Sequence, residues 1–215
     1  MKAHIKLGFA PTRRAIFSAP AAVEYRNLTA ARLKELGIDF VDIDDVNDEG
    51  LLYDDAGLEK IIAKFQREKV DGLFLPHANF GTEYECARLA KALNVPVLLW
   101  GPRDERPDAN GMRLRDSQCG LFATGKVLRR FRVPFTYMNN CNLTDSEFER
   151  GLKDFLAVCN VVKVFRHTRI LQIGPPALRL LEHYVQRGRT AGEVQHSTRP
   201  HPSAGAVHRN AQVEG

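Results

Sequence analysis

Along the chain, short runs of apolar residues alternate with longer stretches in which apolar positions recur every three or four residues. The run "HIKLGFA" (residues 4–10) is a buried strand halted by Pro11. It is followed by "APAAVEYRNLTAARLKELG" (19–37), which has helical spacing and closes on Gly37, a natural left-handed cap. The same couplet repeats. "IDFVDI" (38–43) predicts a strand and "DAGLEKIIAKFQREK" (55–69) an amphipathic helix; "VDGLFLP" (70–76) and "TEYECARLAKALN" (82–94) make the next pair. "VPVLLW" (95–100) precedes "SQCGLFATGKVLRRF" (117–131), and "VPFTYM" (133–138) precedes "TDSEFERGLKDFLAVCNVVKVF" (144–165). "TRILQIG" (168–174) predicts a sixth strand. Strands apolar on both faces, alternating with amphipathic helices, imply an α/β fold. The expectation is a doubly wound, mostly parallel sheet with helices on both faces, Rossmann-like or flavodoxin-like.

In such a sheet, ligands lie beyond the carboxyl ends of the strands, so the loops that follow strands are where chemistry is expected. "PTRR" after the first strand offers Arg13 and Arg14, either as forked donors to an anion or polyol or as solvated surface arginines. "PHANFGTE" after the third carries His77, Asn79 and Phe80, then Thr82 and Glu85 in the pattern of a helix cap with its capping-box partner. A single imidazole without neighbouring ligands predicts a structural hydrogen bond for His77 and no metal site. Gly120, Gly125 and Lys126 fall short of a phosphate loop, since Val127 stands where Ser or Thr is required, and no G-x-G-x-x-G follows the first strand.

Composition narrows the partners. The chain has 215 residues, 44% of them hydrophobic, and a formal charge of +5. That is enough apolar content for a real core, while the mixing of charge signs predicts solvated surface and no nucleic-acid partner. Lys126, Arg129, Arg130 and Arg132 fit the basic end of a helix, without interleaved aromatics to stack bases. Cys86, Cys119, Cys141 and Cys159 are widely spaced with no C-x-x-C pair, which fits a reducing, cytoplasmic setting. Arg13 and Arg14 interrupt any secretory apolar segment, and no stretch is long enough to predict a membrane partner.

The segments "GFAPTRR", "LPHANFGTEYECARLAKALNVPVLLWGPRDE" and "LRDSQCGLFATGKVLRRFRVPFTYM" resemble the amino-terminal region of the L-fucose isomerase and L-arabinose isomerase superfamily, especially its fucose isomerase-like members. The resemblance covers residues 1 to about 175. It implies a cytosolic, homo-oligomeric aldose–ketose isomerase of carbohydrate metabolism whose small-molecule partner is a sugar. Intact members use Mn²⁺, held by Glu, Asp and His from later regions, so no metal and no cofactor is expected on this chain and no catalytic residue is assigned to it. The resemblance also implies that the amino-terminal domain reaches a neighbouring subunit's active site. The matching substrate-contact candidates are Arg13, Arg14, Phe80, Trp100 and Gln118. Packing under loops is the other reading of Phe80 and Trp100, and helix capping that of Gln118.

After Pro176 neither period persists; His183, His196, His201 and His208 are scattered among Arg, Pro, Ser and Gly without a scaffold to hold a metal. Residues 176–215 are therefore expected to form an irregular, largely disordered tail. One permitted back-translation of residues 177–202, read one nucleotide later, encodes "PCDFWSTMCNEGELLEKFNIQLAPIP", which restores the helix-and-strand rhythm. The expectation is a frameshifted tail on a truncated isomerase domain that is inactive alone; the DNA sequence tests it. The rival functional class is a non-catalytic sugar-binding module, and nucleic-acid binding through residues 113–132 and the tail stands behind both.

Overall fold

The computed structural model describes residues 4–107, 109–172 and 198–200. The chain divides into two compact units, Met1–Asn160 and Val161–Gly215. In the first, the predicted couplets are realised as β1 (Leu7–Phe9), α1 (Ala19–Glu35), β2 (Phe40–Val41), α2 (Asp55–Glu68), β3 (Gly72–Pro76), α3 (Glu83–Leu93), β4 (Val97–Trp100), α4 (Ser117–Arg130), β5 (Thr136–Tyr137) and most of α5 (Ser146–Arg166). The five strands form one all-parallel sheet in the order β2-β1-β3-β4-β5.

Side chains alternate along each strand, so consecutive residues enter different cores. Leu73, Leu75, Val97 and Leu99 pack with Leu58, Ile61 and Phe65 of α2, Ala87 and Ala90 of α3, and Leu121 and Leu128 of α4. Leu7, Phe9, Phe74, Leu98 and Trp100 pack on the opposite face with Leu33 of α1 and Phe148, Leu152 and Phe155 of α5. Three helices thus cover one face and two the other, as the doubly wound expectation requires. Helix ends follow local chemistry. The Ser18 side chain accepts from Ala21 N–H at the start of α1, and Asp54 accepts from Gly57 N–H at the start of α2. Gly37, just past α1, has φ +65°, the conformation expected of it.

Two expectations are corrected. The sixth strand, β6 (Ile170–Gln172), does not extend the five-stranded sheet; it pairs in parallel with β7 (Thr198–Pro200) in a separate two-stranded sheet. β7 lies in the stretch expected to be irregular, and the remainder of that stretch, with the frameshift reading, lies outside the described residues. Thr82 does stand at the N-cap of α3, but makes no side-chain cap bond. Its hydroxyl is drawn instead to the first loop, 3.1 Å from Thr12 Oγ1. No helix among the described residues is long and apolar enough to cross a membrane.

Candidate functional site

β1 and β3 are neighbours, yet the chain leaving β1 enters α1 on one face and the chain leaving β3 enters α3 on the other. This is the switch point of the sheet, the position at which doubly wound folds hold ligands in a crevice. Thr12 joins the two loops. Its N–H donates to Pro76 O (2.9 Å), and its carbonyl accepts from Ala78 N–H (3.0 Å). Its hydroxyl donates to Leu52 O (2.8 Å) and accepts from Thr82 N–H (3.0 Å). The loops after β1, β2 and β3 are therefore held by one buried side chain.

Asn79 adds a second tie. Its Oδ1 accepts from the N–H groups of Arg14 (2.8 Å) and Gly81 (3.2 Å), while Nδ2 donates to Arg14 O and Ser18 O (both 3.3 Å). With the backbone so fixed, Phe17 and Phe80 stack at 5.5 Å with their planes 9° apart, and the Arg14 guanidinium lies 4.7 Å from the Phe80 ring centroid. Arg14 pairs with Glu83 at the first position of α3. Arg13 lies 4.1 Å over the Tyr53 ring and grips Glu49 with two donors, Nε to Oε2 and Nη2 to Oε1, the latter at 2.9 Å. Gly81 adopts φ +81°, and a Cβ there would strike Thr12 and His77, so the turn carrying Phe80 requires glycine.

His77 lies beneath this layer, fully buried. Its Nε2 is 2.8 Å from Thr124 Oγ1 and its Nδ1 3.3 Å from Leu75 O. A carbonyl only accepts, so Nδ1 carries the proton of the neutral ring and Nε2 accepts from Thr124. Burial lowers the imidazole pKa to about 4, opposed by the Leu75 carbonyl, and the ring is neutral near pH 7. This is the structural hydrogen bonding expected of a solitary histidine.

The five candidates separate into three settings. Arg13, Arg14 and Phe80 converge on the β1/β3 crevice. Gln118 lies in a neighbouring open cleft of about 470 Å³ with Arg103, Asp104, Arg113, Asp116, Cys119 and Asn140. There Asp104 caps α4, accepting from Ser117 N–H (2.9 Å) and Gln118 N–H (3.2 Å). Gly120, two residues on, packs against the Phe80 main chain and so joins this helix start to the crevice. Trp100 is completely buried between Phe74 and Phe148, its indole N–H donating to Cys141 Sγ at 3.3 Å.

Residues 8–166 match the fucose/sulfoquinovose isomerase N-terminal domain family. The chain belongs to that family. A search of curated proteins gives no match. The family assignment agrees with the resemblance drawn from the loops, and the matched segment contains every strand of the five-stranded sheet except the first residue of β1.

Sequence reasoning missed Glu49, Glu83, Tyr53 and Phe17. Glu49 and Tyr53 lie in "NDEGLLYDD", the loop after β2, which also follows the carboxyl end of a strand. Glu83 was legible only as the residue beside a cap. Among the described residues, no three His, Cys, Asp or Glu side chains gather to hold a metal ion. They do not fit a divalent metal ion such as Mn²⁺.

Proposed function

We propose that this domain supplies sugar-contacting side chains to an aldose–ketose isomerase of carbohydrate metabolism. The observation that carries the reading is the Arg14–Phe80–Phe17 stack at the sheet's switch point in a member of this family. A sugar offers a C–H face to an aromatic ring and hydroxyls that both donate and accept; the crevice offers aromatic faces, guanidinium donors and carboxylate acceptors. Arg13, Arg14, Phe80 and Gln118 are the proposed contacts. Trp100 acts by packing beneath them.

The reaction would move hydrogen between C1 and C2 of an open-chain aldose by proton transfer, and this domain's part in it is to bind and orient the sugar. On this reading the metal and its ligands belong to protein outside the described residues. The chain works in the cytosol within a homo-oligomer, with a sugar and neither nucleic acid nor membrane as its partner, and the polypeptide by itself converts no aldose to ketose.

The test is a ¹⁵N-resolved titration of the chain with L-fucose and L-arabinose, with and without Mn²⁺, beside an assay for ketose. The reading expects shifts of the Arg14 and Phe80 signals with sugar, indifferent to metal, and no ketose. Metal-dependent turnover by the pure chain refutes its inactivity, and silence of the crevice towards all aldoses refutes the sugar site.

A further inference from the structure

Two glutamates, Glu49 and Glu83, neutralise the two arginines at the switch point. Arg13 is only 12% exposed in its side chain; one face is closed by Tyr53, and two of its donors are committed to Glu49. Arg14 has one face against Phe80 and one donor on Glu83. Each guanidinium therefore arrives with its counter-charge attached. Arg26 and the buried Arg115 are paired in the same way, with Asp42 and Glu105, so a guanidinium withdrawn from solvent in this domain carries its own acid. The neighbouring cleft is lined by both signs of charge, Arg103 and Arg113 with Asp104 and Asp116.

The loops are built to present these acids. Asn47 Oδ1 accepts from Glu49 N–H at 3.2 Å and from Leu51 N–H at 3.3 Å, shaping the turn that points Glu49 at Arg13. Gly50 closes that turn at φ +62° against the Arg26 side chain. Glu83 is fixed by its place in the first turn of α3, where the helix dipole favours a carboxylate.

We propose that Glu49 and Glu83 are specificity-determining residues that fit this crevice to a neutral sugar and exclude an anionic one. The inference rests on the sugar-site reading above and chooses between the two kinds of substrate named for the family, an uncharged deoxysugar and a sulfonated sugar. A hydroxyl donates to a carboxylate and accepts from a guanidinium, so it adds to both pairs without breaking either. A sulfonate only accepts. It can reach the guanidinium donors left free, but it must then lie beside a carboxylate that already neutralises the arginine and to which it can donate nothing. Specificity of this kind comes from the repulsive element as much as from the attractive one.

The test compares wild type, Glu49→Gln and Glu83→Gln by titration with fucose and with sulfoquinovose, following the Arg Nε–H signals. Glutamine keeps the size and an acceptor oxygen while removing the charge, and dispersed amide spectra check that each variant is folded. Wild type is expected to bind fucose and to bind sulfoquinovose about tenfold more weakly or worse. Each glutamine variant is expected to gain about tenfold or more in sulfoquinovose affinity and to lose fucose affinity. Wild-type preference for sulfoquinovose, or no gain in either variant, overturns the charge assignment while leaving the sugar site standing. Failure of the crevice to respond to either sugar overturns both readings.

Discussion

Gly120, in the first turn of α4, lies directly against the carbonyl of Phe80, and a Cβ at that position would collide with the oxygen and its carbon. The contact is backbone to backbone, so no rotamer change relieves it. Through it the start of α4, with Gln118, is held against the turn that carries the aromatic stack. Gly120→Ala is therefore expected to cost about 1–3 kcal/mol, the usual penalty for overpacking. Urea denaturation reads the loss, and displaced Arg14 and Phe80 signals would report the shifted turn; an unchanged midpoint contradicts the contact.

The Thr12 hydroxyl both donates to Leu52 O and accepts from Thr82 N–H in a buried setting. Thr12→Val keeps the shape but leaves both groups unpaired. A loss of about 1–3 kcal/mol is expected, with weaker sugar binding because three loops loosen together. Thr12→Ser, which keeps the hydroxyl, should lose less than half as much, and equal losses from the two variants would rule out the hydrogen bonds as the cause.

His77 makes stability depend on pH in a definite direction. Burial lowers its pKa from 6.5 to about 4, so between those values the unfolded chain binds a proton that the folded chain refuses. Its contribution is complete above about pH 6.5 and is lost as pH falls towards 4, a change on the order of 3 kcal/mol. Denaturation midpoints at a series of pH values should fall more steeply for wild type than for His77→Gln. Parallel curves would show that His77 is not the group responsible.

All four cysteines are free, and only Cys119 is exposed. Burial pushes the thiols of Cys86 and Cys159 up to about 12. The hydrogen bond to Asp116, with smaller contributions from burial and nearby charge, raises Cys119 as well. A thiol reagent should label Cys119 alone in the folded protein, faster as pH rises, and the other three only on unfolding. Rapid labelling of Cys86 or Cys159 under native conditions would contradict the packing of α3 or α5.

The sheet and its helices were legible because burial on two faces writes itself into local pattern: "VDGLFLP" and "VPVLLW" are apolar throughout, and α2 to α4 repeat at helical spacing. Arg13, Arg14 and Phe80 could be nominated because loops after parallel strands hold ligands. The same rule covers Glu49, in the loop after β2. Trp100 could not be assigned from its place at the end of β4, since alternation alone did not say which of two cores its ring would fill. The capping pattern at Thr82 misled because a hydroxyl 70 residues away, on Thr12, competes for the threonine side chain.

What the sequence determined by itself is whatever depends on neighbours along the chain: element type, helix ends, apolar faces, and the set of loops able to carry a site. Tertiary structure alone decided which loops meet. Strand order brought "PTRR" beside "NFG", placed Glu49 and Glu83 on the two arginines, and gave β6 a partner other than β5. Charge pairing and burial are properties of distance in space, and residues separated by 36 or 69 positions acquire that distance only when the sheet forms.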